Sequence, residues 1–189
     1  MELRLKKGLA KGWLGVLSLI ATLGTASTAF ALASSEYQLK AVFLFNFAQF
    51  VEWPESAFAA PDSPLRICVL GDDPFGAELE EVMQGETING RALLVSRHAS
   101  AESTRDCHVL FVAQSSEQEW RETLLRLRGQ PVLTVGETHG FTTAGGVIRF
   151  FTEGNRIRLE VNPRAADEAQ LRLSSKLLRS SQITAQREG

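Results

Sequence analysis

The sequence predicts an α/β fold: a three-layer α/β/α sandwich with a mostly parallel sheet and a C-terminal antiparallel β-hairpin. Between residues 65 and 135, short apolar segments alternate with segments of helical periodicity, which is typical of parallel strands joined by helices. These apolar segments lack a polar face, as expected of strands that are covered on both sides. Two segments of strict alternation then flank Glu153-Gly154-Asn155, and this pattern predicts the hairpin.

The first 33 residues are typical of a secretory signal peptide. Four basic residues precede an apolar segment from Trp13 to about Ala26, and Ala-x-Ala patterns follow. We predict cleavage after Ala33 and divide the chain into a signal peptide (1–33), one α/β domain (34–180) and a polar tail (181–189). An uncleaved anchor helix is the alternative, and the glycine interruptions of the apolar segment argue against it.

The composition of the exported part argues against two classes of partner. Without residues 1–33 the chain has 16 Lys and Arg against 21 Asp and Glu, a formal charge of −5. An acidic domain is poorly suited to bind nucleic acid or anionic lipid. No later segment is long or apolar enough to span a membrane, so we expect no direct membrane insertion after cleavage.

An aromatic-rich helix is predicted to open the domain, at residues 36–52. Four phenylalanines fall between Phe43 and Phe50, and apolar residues occur almost all round the helix, which indicates burial on most sides. Ser35 with Gln38 forms a capping-box pattern at its start. Pro54 prevents the helix from continuing beyond Trp53.

The following elements alternate between strand and helix. We predict strands at 65–70, 92–95, 107–112 and 131–135, and hairpin strands at 147–151 and 156–161. Asp73-Pro74 opens one predicted helix, and another extends from Asn162-Pro163 to about Arg179. Ser115 and Ser116 begin a further helix, whose apolar positions are Trp120, Leu124, Leu125 and Leu127. Right-handed crossovers then favour a doubly wound order, in which the first and third strands are neighbours.

Cys68 and Cys107 are the only cysteines of the chain, and both lie in apolar segments. Because thiols of exported proteins are normally oxidised, we expect one disulfide. The predicted strand order would place both residues on adjacent strands. A nucleophilic or redox-active cysteine is the alternative, although neither residue belongs to a C-x-x-C motif.

No catalytic, cofactor or metal site can be assigned from the motifs. Asp72-Asp73 follows the first strand, where phosphate-acceptor domains bind Mg²⁺, but the third strand ends at Val112-Ala113-Gln114 without the further carboxylate that such a site needs. We therefore expect this pair to cap a helix. The three histidines are far apart, and His108 should point away from its neighbour Cys107. An enzyme whose site is assembled from distant residues stays an alternative.

Three groups of residues stand out as a surface for a partner or ligand. They are the end of the opening helix, the aromatic pair of the hairpin and a polar C-terminal segment: Phe50, Glu52 and Trp53; Phe150 and Phe151; Arg172, Ser174 and Ser175. The functional interpretation is an apolar patch that holds a protein partner. The alternative is ordinary core packing of aromatic side chains.

Four ordered motifs resemble the YfiR-like family of periplasmic proteins. They are the segment 36–54, Cys68-Val69-Leu70-Gly71-Asp72-Asp73-Pro74-Phe75-Gly76, Leu133-Thr134-Val135-Gly136, and Leu171-Arg172-Leu173-Ser174-Ser175-Lys176-Leu177-Leu178. The resemblance covers nearly all of residues 35–180.

This resemblance implies a periplasmic regulator without enzymatic activity or cofactor. It would bind and repress the external sensor domain of an inner-membrane diguanylate cyclase and so control cyclic di-GMP signalling, as the best-known member does. The family has a disulfide that matches Cys68–Cys107, whereas that member's second, C-terminal cysteine pair is absent here. The alternative function is a periplasmic small-molecule-binding sensor that acts on a membrane histidine kinase or another receptor. Homodimer formation stays open.

Overall fold

A mixed sheet of eight strands lies at the centre of the fold. The computed structural model describes residues 24–113 and 116–183, with side chains from residue 36 onwards. The described strands are β1 (Val51–Glu52), β2 (Leu65–Leu70), β3 (Thr87–Ile88), β4 (Arg91–His98), β5 (Val109–Val112), β6 (Leu133–Gly136), β7 (Ile148–Glu153), β8 (Arg156–Val161), β9 (Arg172–Leu173) and β10 (Gln182–Ile183). The described α-helices are α1 (Gly24–Phe50), α2 (Glu78–Met83), α3 (Glu117–Leu127), α4 (Pro163–Glu168) and α5 (Ser175–Arg179). None of these helices combines the length and apolar character that crossing a membrane requires.

The strand order confirms the predicted α/β fold. The sheet runs β10-β8-β7-β6-β5-β2-β4-β3, and β1 pairs separately with β9. β2 is parallel to both β4 and β5, so the first and third predicted strands are neighbours as expected. β5, β6 and β7 continue the parallel part, while β8 returns antiparallel to β7.

Helices cover both faces of this sheet. On one face, Phe43 and Phe47 of α1 contact Phe150, with ring centroids 5.8 and 5.7 Å apart. On the other face, Trp120 of α3 belongs to the buried cluster that contains Leu110. Because successive strand residues point to opposite faces, the all-apolar strands predicted from sequence supply both cores at once.

The opening helix is longer at its start than predicted. Helix α1 begins at Gly24 and ends at Phe50. Ser35 is therefore inside a helix and does not cap one, which corrects the predicted start. The alanine-rich segment before Ser35 contains no proline to interrupt helical hydrogen bonding. The chain divides into two units, residues 1–37 and 38–189. Residues 1–23 of the predicted signal peptide lie outside the described part of the chain.

Both hairpins have two-residue turns with left-handed backbone. Gly154 and Asn155, with φ of 55° and 60°, join β7 to β8, which confirms the predicted hairpin. Asn89 and Gly90, with φ of 52° and 79°, join β3 to β4 in the same way. Positive φ at both turn positions matches the twist of the flanking strands, and Asn-Gly is the sequence most suited to it.

The single C-terminal helix predicted from sequence is wrong. α4 ends at Glu168, and Gln170 adopts a φ of 59° while the Leu171 amide donates to the Ala166 carbonyl. This 6→1 hydrogen bond is a helix-terminating motif, and it releases β9 to pair with β1. Ser174 then caps α5. β10 follows beside β8, so the first residues of the predicted tail are paired, and residues 184–189 lie outside the described chain.

Helix α3 begins at the predicted capping site. Ser116 and Glu119 form a reciprocal capping box, whereas Ser115 is outside the described residues. Trp120, Leu124 and Leu127 are buried as expected, but Leu125 is 70% exposed. Each residue advances about 100° around a helix, so Leu125 lies beside the buried stripe and not within it.

An ion pair joins α1 to the loop after β6. The Nζ atom of Lys40 contacts the carboxylate of Glu137, and the two side chains are 6% and 21% exposed. A charge removed from water in this way costs free energy unless its partner is present. The pair therefore ties the position of α1 to the carboxyl end of the sheet.

We predict that Lys40→Met lowers the free energy of unfolding by about 3 kcal/mol, because it leaves the Glu137 carboxylate without its cation. Urea denaturation measures the change. Arg121→Met, which breaks an exposed pair with Glu117, is the matched control and should cost no more than about 0.5 kcal/mol. Equal losses in the two variants would contradict the structural role of Lys40.

Candidate functional site

The first candidate site is a two-stranded ribbon outside the main sheet, which we define as residues 50–53 and 172–176. Val51 lies opposite Leu173, and Glu52 lies opposite Arg172. The two segments are about 120 residues apart in the sequence, so this surface forms only when α4 ends and β9 turns back.

Short-range contacts hold the ribbon in one geometry. The Ser174 amide donates to the Phe50 carbonyl (2.9 Å), and the Ser174 hydroxyl accepts from the Leu177 amide to cap α5. The ammonium of Lys176 lies 4.6 Å from the centroid of the Phe50 ring, a cation–π contact. A depression of about 110 Å³ opens between Gln49, Phe50, Glu52 and residues 172–174. Glu52 and Arg172 are exposed at its rim, and Ser175 is exposed at the start of α5.

The other predicted surface residues, Phe150, Phe151 and Trp53, do not line this depression. Phe150 is only 1% exposed and packs beneath α1, so its predicted place at the surface is wrong. Phe151 points to the opposite face and lies half-buried under the guanidinium of Arg149, 4.9 Å from its ring centroid. Trp53 is half-buried, and its indole N–H donates to the His108 carbonyl (3.2 Å). Strand alternation turns Phe150 and Phe151 to opposite faces of the sheet, and the hydrogen bond to His108 keeps the Trp53 indole half-buried.

His108 organises the amino-terminal edge of the parallel strands. Its amide donates to the Arg66 carbonyl (2.9 Å), and its carbonyl accepts from the Leu133 amide (2.8 Å). Its ring stacks on Phe58 with centroids 4.4 Å apart, and Arg91 covers the other side of Phe58 at 3.7 Å. One residue thus joins β2, β6 and the loop between β1 and β2.

The ring of His108 is neutral in this arrangement. Nδ1 accepts a hydrogen bond from the Arg66 amide (3.1 Å), so the proton is on Nε2, which donates to the Ala57 carbonyl (3.1 Å). Burial lowers the pKa of His108 below its usual range, and the hydrogen bond to Ala57 opposes this only in part. The nearby charges of Arg66 and Arg91 lower the pKa further.

The expected disulfide joins Cys68 to Cys107 across the middle of the sheet. The Cα atoms are 5.9 Å apart, and the closed loop spans 39 positions. Sequence reasoning missed the histidine beside it: His98 Nε2 lies 3.8 Å from Cys107 Sγ. His108 points away from Cys107, as predicted, but the register of β4 against β2 brings His98 to the disulfide. Among the described residues these three form the one cluster with metal-ligand spacing, and both sulfurs are bonded to each other.

A chain of hydroxyl groups orients the His98 ring. Ser103 donates its hydroxyl proton to the Ser100 carbonyl (2.9 Å) and therefore accepts from His98 Nδ1 (3.0 Å). Nε2 is then left to face Ser96 (3.0 Å) and the disulfide.

The acidic pair after β2 has two different roles. Asp73 accepts from the Phe75 amide (2.9 Å) and from Arg97 Nε (2.7 Å), whereas Asp72 is exposed. Arg97 also contacts the carboxylate of Glu80, and hydrogen bonding from Arg97 lowers the pKa of Glu80. Asp73 therefore holds the turn before α2. The prediction that Asp72-Asp73 caps a helix opened by Asp73-Pro74 is wrong, because α2 begins at Glu78 and its N-cap residue is Ala77.

A known protein family matches most of the chain. Residues 37–182 match the YfiR/HmsC-like family, a range that includes both halves of the ribbon and the disulfide. The chain belongs to this family. No curated protein matches the sequence significantly.

Membership of the YfiR/HmsC-like family supplies the general function. The family is regulatory and non-catalytic, and it implies a periplasmic regulator of cyclic di-GMP signalling. Its members generally interact with the periplasmic domain of a membrane signalling protein. The resemblance noted in the sequence motifs is confirmed.

Replacing both Cys68 and Cys107 by alanine is expected to lower the free energy of unfolding by about 4 kcal/mol, because the cross-link restricts a long loop of the unfolded chain. Thermal unfolding measures the fall in melting temperature. Thiol titration of the wild-type protein, denatured without a reductant, should find no free thiol. Two reactive thiols would contradict the disulfide.

We predict that His108 makes the protein less stable as the pH falls below about 6.5, the ordinary histidine pKa. The unfolded chain then binds a proton that the folded chain, with its lowered pKa, does not. The free energy of unfolding should fall by up to about 1.4 kcal/mol per pH unit in this range.

Urea denaturation between pH 7.5 and 5 tests the role of His108. In His108→Gln the fall should be smaller than in the wild type, whatever the absolute stability of the variant. His139→Gln, which changes an exposed histidine, should follow the wild-type curve. An unchanged pH dependence in His108→Gln would assign the effect to other groups.

Proposed function

We propose that this protein is a periplasmic repressor that binds the external sensor domain of an inner-membrane diguanylate cyclase and so lowers cyclic di-GMP. In this proposal residues 1–33 direct export and are removed after Ala33. Family membership supports the regulatory role and the periplasmic location. The ribbon is the surface that we assign to the cyclase.

The main support for this proposal is that two segments resembling family motifs meet at one surface. The end of the first motif supplies Phe50–Trp53, and the last motif supplies Arg172–Lys176. The main sheet does not need this ribbon to complete its own pairing, since β1 and β9 pair only with each other among the described strands. Partner binding would explain why the chain forms a ribbon that the main sheet does not require.

The side chains of the ribbon suggest the chemistry of the partner surface. Arg172, Lys176 and Arg179 concentrate positive charge in one short segment of a domain that is otherwise acidic. The Phe50 ring and the small depression beside it offer an apolar contact. A sensor-domain surface with carboxylates around an apolar side chain would complement this arrangement.

Repression requires a difference in affinity between two states of the cyclase. The protein must bind the inactive state more tightly, and each tenfold bias corresponds to about 1.4 kcal/mol. Rim charges mainly affect association and specificity, whereas a buried aromatic anchor contributes more to affinity. Phe50 is therefore the more sensitive position, and Arg172 sets the orientation.

Deletion of the gene, followed by measurement of cellular cyclic di-GMP, tests this function. We expect the level to rise severalfold and to return when the wild-type gene is restored. A gene for Phe50→Ala/Arg172→Glu should fail to restore repression, because it removes the apolar anchor and reverses a rim charge.

The matched control is Glu117→Gln/Arg121→Gln, which removes an exposed ion pair on α3 away from the ribbon. It should repress like the wild type at equal periplasmic abundance. An unchanged level after deletion would overturn cyclase repression and favour another membrane receptor, such as a histidine kinase. Full repression by the ribbon variant would overturn only the assignment of the surface.

A further inference from the structure

A crevice lies at the carboxyl ends of β2 and β5, on the opposite edge of the sheet from His108. The chain passes from β2 to β4 on one side and reaches β5 on the other, so the strand order reverses between β2 and β5. In open α/β sheets this reversal leaves a gap between the connections, and small ligands bind there.

The crevice has the size and shape of a small-molecule site. Its volume is about 540 Å³, and small-ligand pockets commonly measure roughly 300–1,000 Å³. Leu70 and Val112 form its apolar floor, residues 99–102 form one wall, and helix α3 forms the other. Hydrogen bonds from the Ser103 amide and hydroxyl to the Ser100 carbonyl hold the wall formed by residues 99–102.

The charge of the lining is strongly negative. Of the described residues that line the crevice, Asp72, Glu102, Glu119 and Glu122 are acidic and Arg126 is basic, for a net formal charge of −3. Arg126 lies 3.7 Å from Glu102, and Glu119 accepts hydrogen bonds from the amide and hydroxyl of Ser116. Within the part of the chain that the structure describes, neither Asp72 nor Glu122 lies within ion-pair distance of a basic side chain.

The spacing of these carboxylates argues against a metal ion. Among the described residues, no three carboxylates come close enough together to bind one cation, and the single cluster with such spacing is the disulfide with His98. Hard divalent cations need several oxygen ligands within about 2.6 Å of the ion. Charges spread along an apolar floor are suited instead to a ligand whose positive groups are separated by methylene groups.

We propose that this crevice binds a linear organic cation of the diamine or polyamine class. One ammonium group pairs with Asp72 after β2, and another pairs with Glu122 on α3. The methylene chain between them contacts Leu70 and Val112. This site is separate from the ribbon and does not depend on the identity of the membrane partner.

Isothermal titration calorimetry with spermidine and putrescine tests the proposal on natively purified, disulfide-intact protein at physiological salt. We expect saturable binding of one spermidine per chain and no binding of 1,4-butanediol, which has the length of putrescine without its charge. Asp72→Asn/Glu122→Gln should weaken spermidine binding by about tenfold or more, since both ammonium partners are lost. Both side chains are exposed, so the fold should tolerate the change.

The matched control removes the same charge outside the crevice. Glu81→Gln/Glu117→Gln alters two exposed carboxylates on α2 and α3, and its affinity should stay within about twofold of the wild type. Absence of saturable binding would overturn the proposal. Equal weakening in the two double variants would also overturn it, because it would indicate attraction to the overall negative charge.

Discussion

β2 and β5 are neighbours in the sheet although β3 and β4 separate them in the chain, and the Cys68–Cys107 disulfide links β2 to the residues just before β5. The rest of the molecule depends on this pairing. It puts β4 on the far side of β2, which brings His98 to the disulfide and opens the crevice at the reversal of strand order. It also places His108 next to Arg66. Forming a parallel pair of this kind closes a long loop at a cost in chain entropy, and the disulfide offsets part of that cost.

The two edges of the sheet have opposite chemistry for a physical reason. At the amino-terminal edge, the Trp53 indole donates to the His108 carbonyl, and the buried, neutral His108 ring bonds to the backbone of Arg66 and Ala57. Such a closed polar network favours one rigid geometry. At the carboxyl edge the connections diverge, leaving exposed carboxylates around an apolar floor. The first edge stabilises the fold, and the second carries the crevice that we assign to an organic cation.

In the proposed function, the ribbon separates the partner-binding surface from the core. Its strands come from the end of α1 and from the segment after α4, and each is only two residues long. The Ser174 amide, the α5 cap and the Phe50–Lys176 contact keep them in place. Changes at the exposed rim can therefore alter partner binding while the buried Phe47 and Phe150 continue to hold the sheet.

The sequence by itself determined the fold class, the neighbouring first and third strands, the hairpin and the disulfide, because periodicity, turn residues and export chemistry are local signals. It also placed Phe50, Glu52 and Arg172 in family motifs. Only the tertiary structure decided that Phe150 is buried, that one predicted C-terminal helix is two, and that His98 lies beside Cys107. Burial and strand register depend on contacts between distant residues, which no local pattern encodes. The helix ends at Gln170 through a local motif, but a left-handed backbone is uncommon for residues other than glycine, so the residue type did not signal it.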